Sequence, residues 1–307
     1  MSENRTRKLS DRIQNIALKG LISGLLVLPY RWRVPLCGWV MSRIIAPIAG
    51  YDKRVRDNLN LVMPDMPEAE IRRLMRAVPA NVGRTLIEIY SGAEFVQRAI
   101  AEPLKGEGLA ALDEASEAGR PVILVTGHFG NYDASRAALI ARGYNVGALY
   151  RPMADADFNA HYVQAISRIG QPVFPRGRQG LANMVRFLRS GGMLGLLMDQ
   201  AMTAGSQLTF FGAPAMTALS AAELALKYNA LVVPTYGVRK ENGLDFDIII
   251  EAPIPHTTPE VMTQALNDSL ENLARQHLDQ WFWIHRRWKH SSKKLNKIRT
   301  PAVRGPK

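Results

Sequence analysis

The sequence predicts an α/β protein whose mostly parallel central sheet is flanked by helices. From residue 121 onward, short apolar or β-branched runs alternate with helical stretches, an order typical of parallel sheets. The chain of 307 residues is also 47% hydrophobic, which is enough to bury the core of one large domain.

Six runs are the predicted strands, in chain order VILVT, VGALY, PVF, MLGLLM, LVVPTY and FDIII. The helices that accompany them are expected to begin near Tyr132, Asp157, Gln179, Thr217 and Pro259. Before the sheet, residues 51–92 have the apolar spacing of amphipathic helices. We expect an N-terminal segment over 1–50, the sheet-bearing domain over 51–290 and a basic tail over 291–307.

The N-terminal segment is basic and apolar, and we expect it to associate with a membrane. Its first apolar run, 20–30, is too short to cross a bilayer, and a second run follows at 34–50. Residues typical of a membrane interface flank or interrupt these runs: Arg31, Trp32, Arg33, Trp39 and Arg43. The alternative is a pair of core helices in a soluble protein.

Charge and cysteine content limit the classes of partner and site. The net charge of +12 and a pI near 10.0 favour an anionic partner, whether nucleic acid, anionic lipid or acidic protein. The single cysteine, Cys37, excludes an internal disulfide framework, and we expect a packed, inert thiol. Near the C terminus, WFWIHRRWKHSSKKLNKIR interleaves aromatics with cations, and from His285 to Lys307 the chain has nine Lys or Arg and no acid. That strip suits a membrane interface, an acidic carrier protein or nucleic acid.

Polar residues follow four of the predicted strands. His128, Arg151, Arg176 and Asp199 each come directly after a strand or within two residues of its end. Because parallel strands end at one edge of a sheet, these four groups are expected to face one crevice.

The stretch PVILVTGHFGNYD places a base and an acid after the first strand. In one regular helix, His128 and Asp133 would lie about 140° apart, so they can meet only across a turn. Gly127 and Gly130 make such a turn plausible. An imidazole oriented by a carboxylate can take a proton from a substrate hydroxyl. The alternative is a structural histidine with Asp133 as a helix-start acid. No metal is expected, since no second histidine or acid pair lies nearby at ligand spacing.

These residues resemble a known family. GHFGNYD resembles the His-and-acid motif of glycerolipid-type acyltransferases, and in particular the lipid A biosynthesis acyltransferase family of Gram-negative bacteria. The similarity runs from about residue 15 to residue 290. Four further stretches resemble that family in order and spacing: YRPMADADFNAHYVQAISRIG, PRGRQGLANMVRFLRSGGMLGLLMDQ, FFGAPAMTALSAAELALKYNALVVPTY and QWFWIHRRWK.

The resemblance implies a glycerolipid acyltransferase-like fold that transfers a fatty acyl chain from an acyl carrier protein thioester to a hydroxyl of a lipid A precursor, without a cofactor. It implies His128 as general base and Asp133 as its orienting acid, and Arg176 as a grip for acceptor phosphate. Asp199 and Gln200 stand where glycerolipid enzymes have a Pro-Glu-Gly block, which argues against a glycerol-phosphate acceptor.

Other candidates follow from residue chemistry. Arg151 and Arg168 could bind substrate phosphate or carboxylate, since guanidinium binds such groups in a bidentate manner. The backbone N–H groups of Gly130 and Asn131, in a glycine turn at a helix start, could stabilise the oxyanion.

The expected partners are acyl carrier protein, a phosphorylated glycolipid acceptor and the cytoplasmic face of the inner membrane, with no nucleic acid. Two alternatives stay open. One is acyl transfer to a lysophospholipid, another glycolipid or an ornithine lipid. The other is a non-catalytic basic protein that binds membrane or nucleic acid through its C-terminal strip.

Overall fold

The computed structural model of the chain describes Asn15 and residues 18–289. Its centre is a six-stranded sheet with the strand order β3-β2-β4-β1-β7-β8. Neighbouring strands from β3 to β7 pair in parallel, and β8 pairs antiparallel with β7. The predicted α/β class and mostly parallel sheet are therefore confirmed. The strands are β1 (Val122–Thr126), β2 (Val146–Tyr150), β3 (Val173–Pro175), β4 (Met193–Leu197), β7 (Leu231–Arg239) and β8 (Phe246–Ile250).

Helices cover both faces of this sheet and precede it along the chain. Residues 18–26 are helical (α1), and a π-helical turn at Met41–Ile45 joins two of the helices that follow. The later helices are α2 (Tyr30–Val40), α3 (Ala46–Ala49), α4 (Tyr51–Val62), α5 (Glu68–Tyr90), α6 (Ala93–Ala99), α7 (Leu109–Glu117), α8 (Tyr132–Ala141), α9 (Ala156–Ile169), α10 (Arg178–Arg189), α11 (Ser220–Tyr228) and α12 (Pro259–Gln276).

A separate antiparallel hairpin, absent from the sequence prediction, follows the fourth strand. Its strands are β5 (Ser206–Phe210) and β6 (Ala213–Thr217). Phe211 and Gly212 form the turn, and both have positive φ. The hairpin lies against α12, where the Gln264 side chain hydrogen-bonds the backbone of Thr209.

The N-terminal helices bury one face and expose another. Ile22, Leu25, Val34 and Cys37 belong to the main hydrophobic core, and burial raises the pKa of the Cys37 thiol to about 12. Among the described residues no single helix is long and apolar enough to cross a membrane, and one bent pair, Tyr30–Ala49 with Tyr51–Val62, meets the length and composition requirement. Membrane association by this segment, like the boundaries at 50 and 290, stays a prediction.

The C-terminal aromatic strip is part of the core, contrary to the interfacial prediction. Trp281, Trp283 and Trp288 are buried and pack around Phe210 and Phe211 of the hairpin. Aromatic and cationic residues alternate on many interfaces, but here the indoles are the filling between the hairpin, α12 and the sheet. The predicted tail over 291–307 lies outside the described residues.

Candidate active site

His128 lies in a tight turn between β1 and α8. Gly130 has a φ of +51°, and a Cβ atom on it would approach the Gly237 carbonyl oxygen to 2.0 Å. A side chain at this position is therefore excluded both by conformation and by the close passage of β7. Gly127 has a different role: its Cβ would meet Leu270 at 2.7 Å, so it permits close packing against α12.

The acid that holds His128 is Asp199. The His128 Nδ1 lies 2.7 Å from Asp199 Oδ1, and the His128 backbone N–H donates to Oδ2 at 2.7 Å. The Trp281 indole N–H also donates to Oδ2, at 3.0 Å. Asp199 is 1% exposed, and these donors occupy its carboxylate. Its predicted role in direct substrate binding is therefore wrong.

Strand register explains the pairing. β1 and β4 are parallel neighbours, and Thr126 lies opposite Leu197 at their ends. His128 and Asp199 are each two residues beyond these ends, so the chain directions bring them together. The pairing of His128 with Asp199 depends on the strand order, which the sequence alone does not provide.

Asp133 does not orient the imidazole, and that prediction is corrected. Its backbone N–H is capped by the Asn131 side chain, and its Oδ1 accepts from Arg136 Nε at 2.8 Å. The same guanidinium donates to the carbonyls of Ile166 and Gly170, which fixes α8 against the end of α9. The first turn of α8 thus directs Asp133 along the helix to Arg136, three residues on.

Charge around Asp199 favours the ionised carboxylate. Burial alone would raise its pKa, but the charge of His128 and the hydrogen bonds from that residue outweigh burial and hold the pKa well below the usual range. A carboxylate on Nδ1 fixes the tautomer that leaves Nε2 able to accept a proton. The ring is part-exposed, with 23% of the side chain accessible, and it lines the crevice described below.

A second histidine, which the sequence analysis did not single out, stands beside this pair. The His285 ring lies edge-on to that of His128, with centroids 4.7 Å apart. Burial lowers the pKa of His285 to about 4, so the ring is uncharged at neutral pH. Ligand-type atoms of His128, Asp199 and His285 lie within 4.8 Å of one another and could hold a metal ion by distance. The 2.7 Å contact would have to open to about 3.3 Å for two ligands of tetrahedral zinc, so it fits a hydrogen bond better.

A buried polar network supports the turn from behind. Arg239 and Glu88 form an ion pair with side chains 3% and 0% exposed, and Glu88 also accepts from the Asn131 side chain at 2.8 Å. The Asn81 and Thr85 side chains donate to the Gly130 carbonyl. This network holds the backbone on which His128 is mounted.

The predicted oxyanion donors are already engaged in that support. The Gly130 N–H donates to the Gln280 carbonyl and the Asn131 N–H to the Gly237 carbonyl, each at 3.0 Å. Both amides therefore face the protein interior, and their prediction as oxyanion donors is wrong.

Most of the other predicted site residues surround one crevice. Arg151, Arg176 and Gln200 are exposed at its mouth, and His128 forms part of its wall. Arg168 is exposed on α9 with its side chain near Gly92, and it does not line the crevice. The expectation that strand ends meet at one crevice therefore holds for three of the four residues, while Asp199 lies behind His128.

The crevice encloses about 310 Å³ in all, and its inner part, called the slot below, lies between the sheet and α8. Leu124, Leu139, Val146 and Ala148 line its depth. A second, mostly apolar cavity of about 260 Å³ lies against α5. Both cavities are bounded by His128, Tyr132, Met153 and Tyr162, so the imidazole stands where two apolar spaces meet.

Comparison with known proteins decides the family. The model of bacterial lipid A biosynthesis acyltransferases matches residues 4–290. The chain belongs to that family. It is therefore an acyltransferase, and its family indicates a role in lipid A biosynthesis.

Individual relatives are distant and differ in the acceptor that their names give. The chain is 24% identical to the lipid A biosynthesis lauroyltransferase of Escherichia coli, over 77% of this chain and 78% of the relative. It is also 24% identical to a lipid A biosynthesis acyltransferase of Haemophilus influenzae, over 76% of each chain. A phosphatidylinositol mannoside acyltransferase of Mycobacterium tuberculosis is 24% identical over 78% of each chain.

Proposed function

We propose that the protein transfers a fatty acyl chain from an acyl carrier protein thioester to a hydroxyl of a lipid A precursor, with His128 as general base. The observation that carries this proposal is the His128–Asp199 pair at the junction of two apolar cavities. Asp199 takes the orienting role that the sequence assigns to Asp133.

The reaction follows from the position of the pair. The acceptor hydroxyl loses its proton to His128 Nε2 as its oxygen forms a bond to the thioester carbonyl carbon. The resulting imidazolium is stabilised by Asp199 through Nδ1–H. When the tetrahedral species collapses, the carbon–sulfur bond breaks and the leaving thiolate takes the proton from the imidazolium. No group of the protein becomes acylated.

The two cavities support separate places for donor and acceptor chains. The slot between the sheet and α8 is apolar in its depth and opens beside the imidazole, which suits the donor acyl chain. The cavity against α5 is available to an acyl chain that the acceptor already carries. Each substrate then reaches His128 from its own side.

The charged mouth of the crevice supports a phosphorylated acceptor. Arg151 and Arg176 are exposed there, with Gln200 beside them. Guanidinium groups bind phosphate in a bidentate manner, so these two residues would hold the acceptor's phosphate. The net charge of +12 supports docking of an acidic carrier protein and location at the cytoplasmic face of the inner membrane.

A second candidate acceptor is a different glycolipid. It is favoured by the mycobacterial relative, whose name gives phosphatidylinositol mannoside as acceptor and whose similarity equals that of the lipid A enzymes. Either acceptor would react at the same base and occupy the same cavities. Selection between them would therefore fall to the contacts that their headgroups make at the arginine-bearing mouth.

Mass spectrometry of lipids from a deletion strain separates the two candidates. Loss of one acyl chain from lipid A, restored by the wild-type gene and not by His128→Ala, is the expected result. Unchanged lipid A with an altered second glycolipid would favour the other acceptor. Full restoration by His128→Ala would contradict the mechanism and favour a non-catalytic role.

A further inference from the structure

A groove rich in arginine lies between the N-terminal helices and α5, apart from the crevice. It encloses about 730 Å³ and is called the arginine groove below. Trp39 and five arginines line it: Arg43, Arg72, Arg73, Arg76 and Arg84. Such a concentration of cations in one concave site indicates an anionic ligand.

Three of these arginines lack an acidic partner among the described residues. Arg72 and Arg73 pair with Glu68 and Glu70 of their own helix, whereas Arg43 and Arg76 are exposed and form no such pair within 18–289. The Arg84 Nε atom is buried and has no hydrogen-bond partner. Burial, with the nearby charge of Arg239, lowers the pKa of Arg84, as expected for a guanidinium without full compensation.

The groove borders an exposed apolar stripe on the same helices. Trp32 is 57% exposed, Trp39 54% and Ile48 84%, and Leu36 and Ile44 extend the stripe between them. Indoles beside arginines are typical of the headgroup region of a bilayer. An acyl carrier protein would also be attracted by the arginines. Its thioester must reach His128, however, and His128 does not line this groove.

The position of the groove also separates it from the reaction. Val78, Val82 and Thr85 face the cavity beside His128, whereas Arg76 and Ala80 face the groove. At 100° per residue these two sets lie on opposite sides of α5. The groove is thus placed to hold a lipid outside the active site.

We propose that the arginine groove binds the phosphate of an anionic phospholipid headgroup, with Arg43, Arg76 and Arg84 as its ligands and the apolar stripe inserted beside it. The proposal rests on the membrane location in the proposed function and is independent of the acyl-transfer chemistry. It assigns the membrane-facing side of the protein to α2, α3 and the outer face of α5.

Vesicle flotation of the full-length protein tests it, with phosphatidylglycerol–phosphatidylcholine vesicles and phosphatidylcholine vesicles as probes. The Arg43→Gln/Arg76→Gln variant is expected to bind anionic vesicles roughly thirtyfold more weakly, since each arginine near the surface contributes roughly fivefold. The control is Arg142→Gln/Arg189→Gln, which removes the same charge from exposed positions elsewhere. It should lose less than about threefold. Brominated phospholipid should quench Trp39 in the wild type.

Acyl transfer to detergent-dispersed acceptor should be unchanged in the groove variant, which separates this proposal from the proposed function. Equal losses of vesicle binding by the groove variant and the control would show non-specific electrostatic attraction and would contradict a binding site in the groove. Wild-type vesicle binding by the groove variant would overturn it too. If the groove variant keeps vesicle binding and instead loses crosslinking to acyl carrier protein, the occupant is the carrier and the lipid proposal fails.

Discussion

Replacing Asp199 by asparagine is expected to slow acyl transfer strongly while leaving the fold in place. The carboxylate faces three donors: His128 Nδ1–H, the His128 backbone N–H and the Trp281 indole N–H. An asparagine side chain has one acceptor oxygen and one NH₂ group. Its oxygen would face the two donors that share Oδ2, because both are fixed by the backbone and by a buried ring.

That orientation turns the NH₂ group toward His128 Nδ1 and reverses the tautomer. The proton then sits on Nε2, which can no longer accept one from the acceptor hydroxyl. In a comparable histidine–carboxylate system this change costs about 10⁴ in kcat, so a loss between about 10² and 10⁴ is expected here. Because the side chains are isosteric, Tm should move by about 2–4 °C, equivalent to about 1 kcal/mol.

The assay is single-turnover acyl transfer followed by mass, with Tm measured on the same samples. Asp133→Asn is the matched control, since it makes the same chemical change at the carboxylate in the first turn of α8. It weakens the pair with buried Arg136, so it should lower Tm more and kcat less than Asp199→Asn. The reverse order of the two kcat values would refute the assignment of Asp199 and restore Asp133 as the orienting acid.

Three further predictions concern the slot, the buried network and the second histidine. Gly195→Val places a side chain in the slot, where a Cβ would lie 3.5 Å from the nearest atom. When acyl donors of different length compete, the preference should shift toward the shorter chain by about fourfold for each methylene that no longer fits. Glu88→Gln leaves Arg239 without its buried carboxylate and should lower the free energy of unfolding by about 3 kcal/mol in urea titration. Between pH 7 and pH 5, the free energy of unfolding should fall by about 2 kcal/mol less in His285→Gln than in the wild type.

The sign of the last effect follows from linkage. An unfolded histidine takes up a proton as the pH falls below about 6.5, whereas folded His285 does so only near about 4. The unfolded chain therefore binds more protons in this window, and wild-type stability falls with pH. Equal pH dependence of wild type and His285→Gln would show that the ring is hydrated. Unchanged donor preference in Gly195→Val, or unchanged stability in Glu88→Gln, would contradict the roles given to the slot and the network.

The sequence predicts the main sheet well because its six strands are mostly apolar and are bounded by turn residues. β1 is buried along its whole length, whereas β8 alternates buried with half-buried residues, and both are recognisable from composition. The β5–β6 hairpin escapes the same reasoning because three of the five residues in SQLTF are polar and APAMT contains no aromatic or β-branched residue before its last position. Its stability comes from α12 and the tryptophans, which lie more than 40 residues further along the chain.

The candidate site is predictable in part. The strand ends reveal His128 and the arginines at the mouth, because residue type and position suffice there. The partner of His128 depends on β4 being the neighbour of β1, which no local pattern encodes. Trp281 and its neighbours show a second limit: an aromatic strip beside cations reads equally as an interface or as core, and packing decides for core.

The proposed reaction is activation of an acceptor hydroxyl of a lipid A precursor by His128, which Asp199 holds. Its most direct test is incubation of the purified protein with an acyl carrier protein thioester and a phosphorylated, partly acylated precursor, read by mass. The wild type should give a product heavier by one acyl group, whereas His128→Ala, although folded, should give none. Equal product from His128→Ala, or no acylation of the precursor by the wild type, would contradict it.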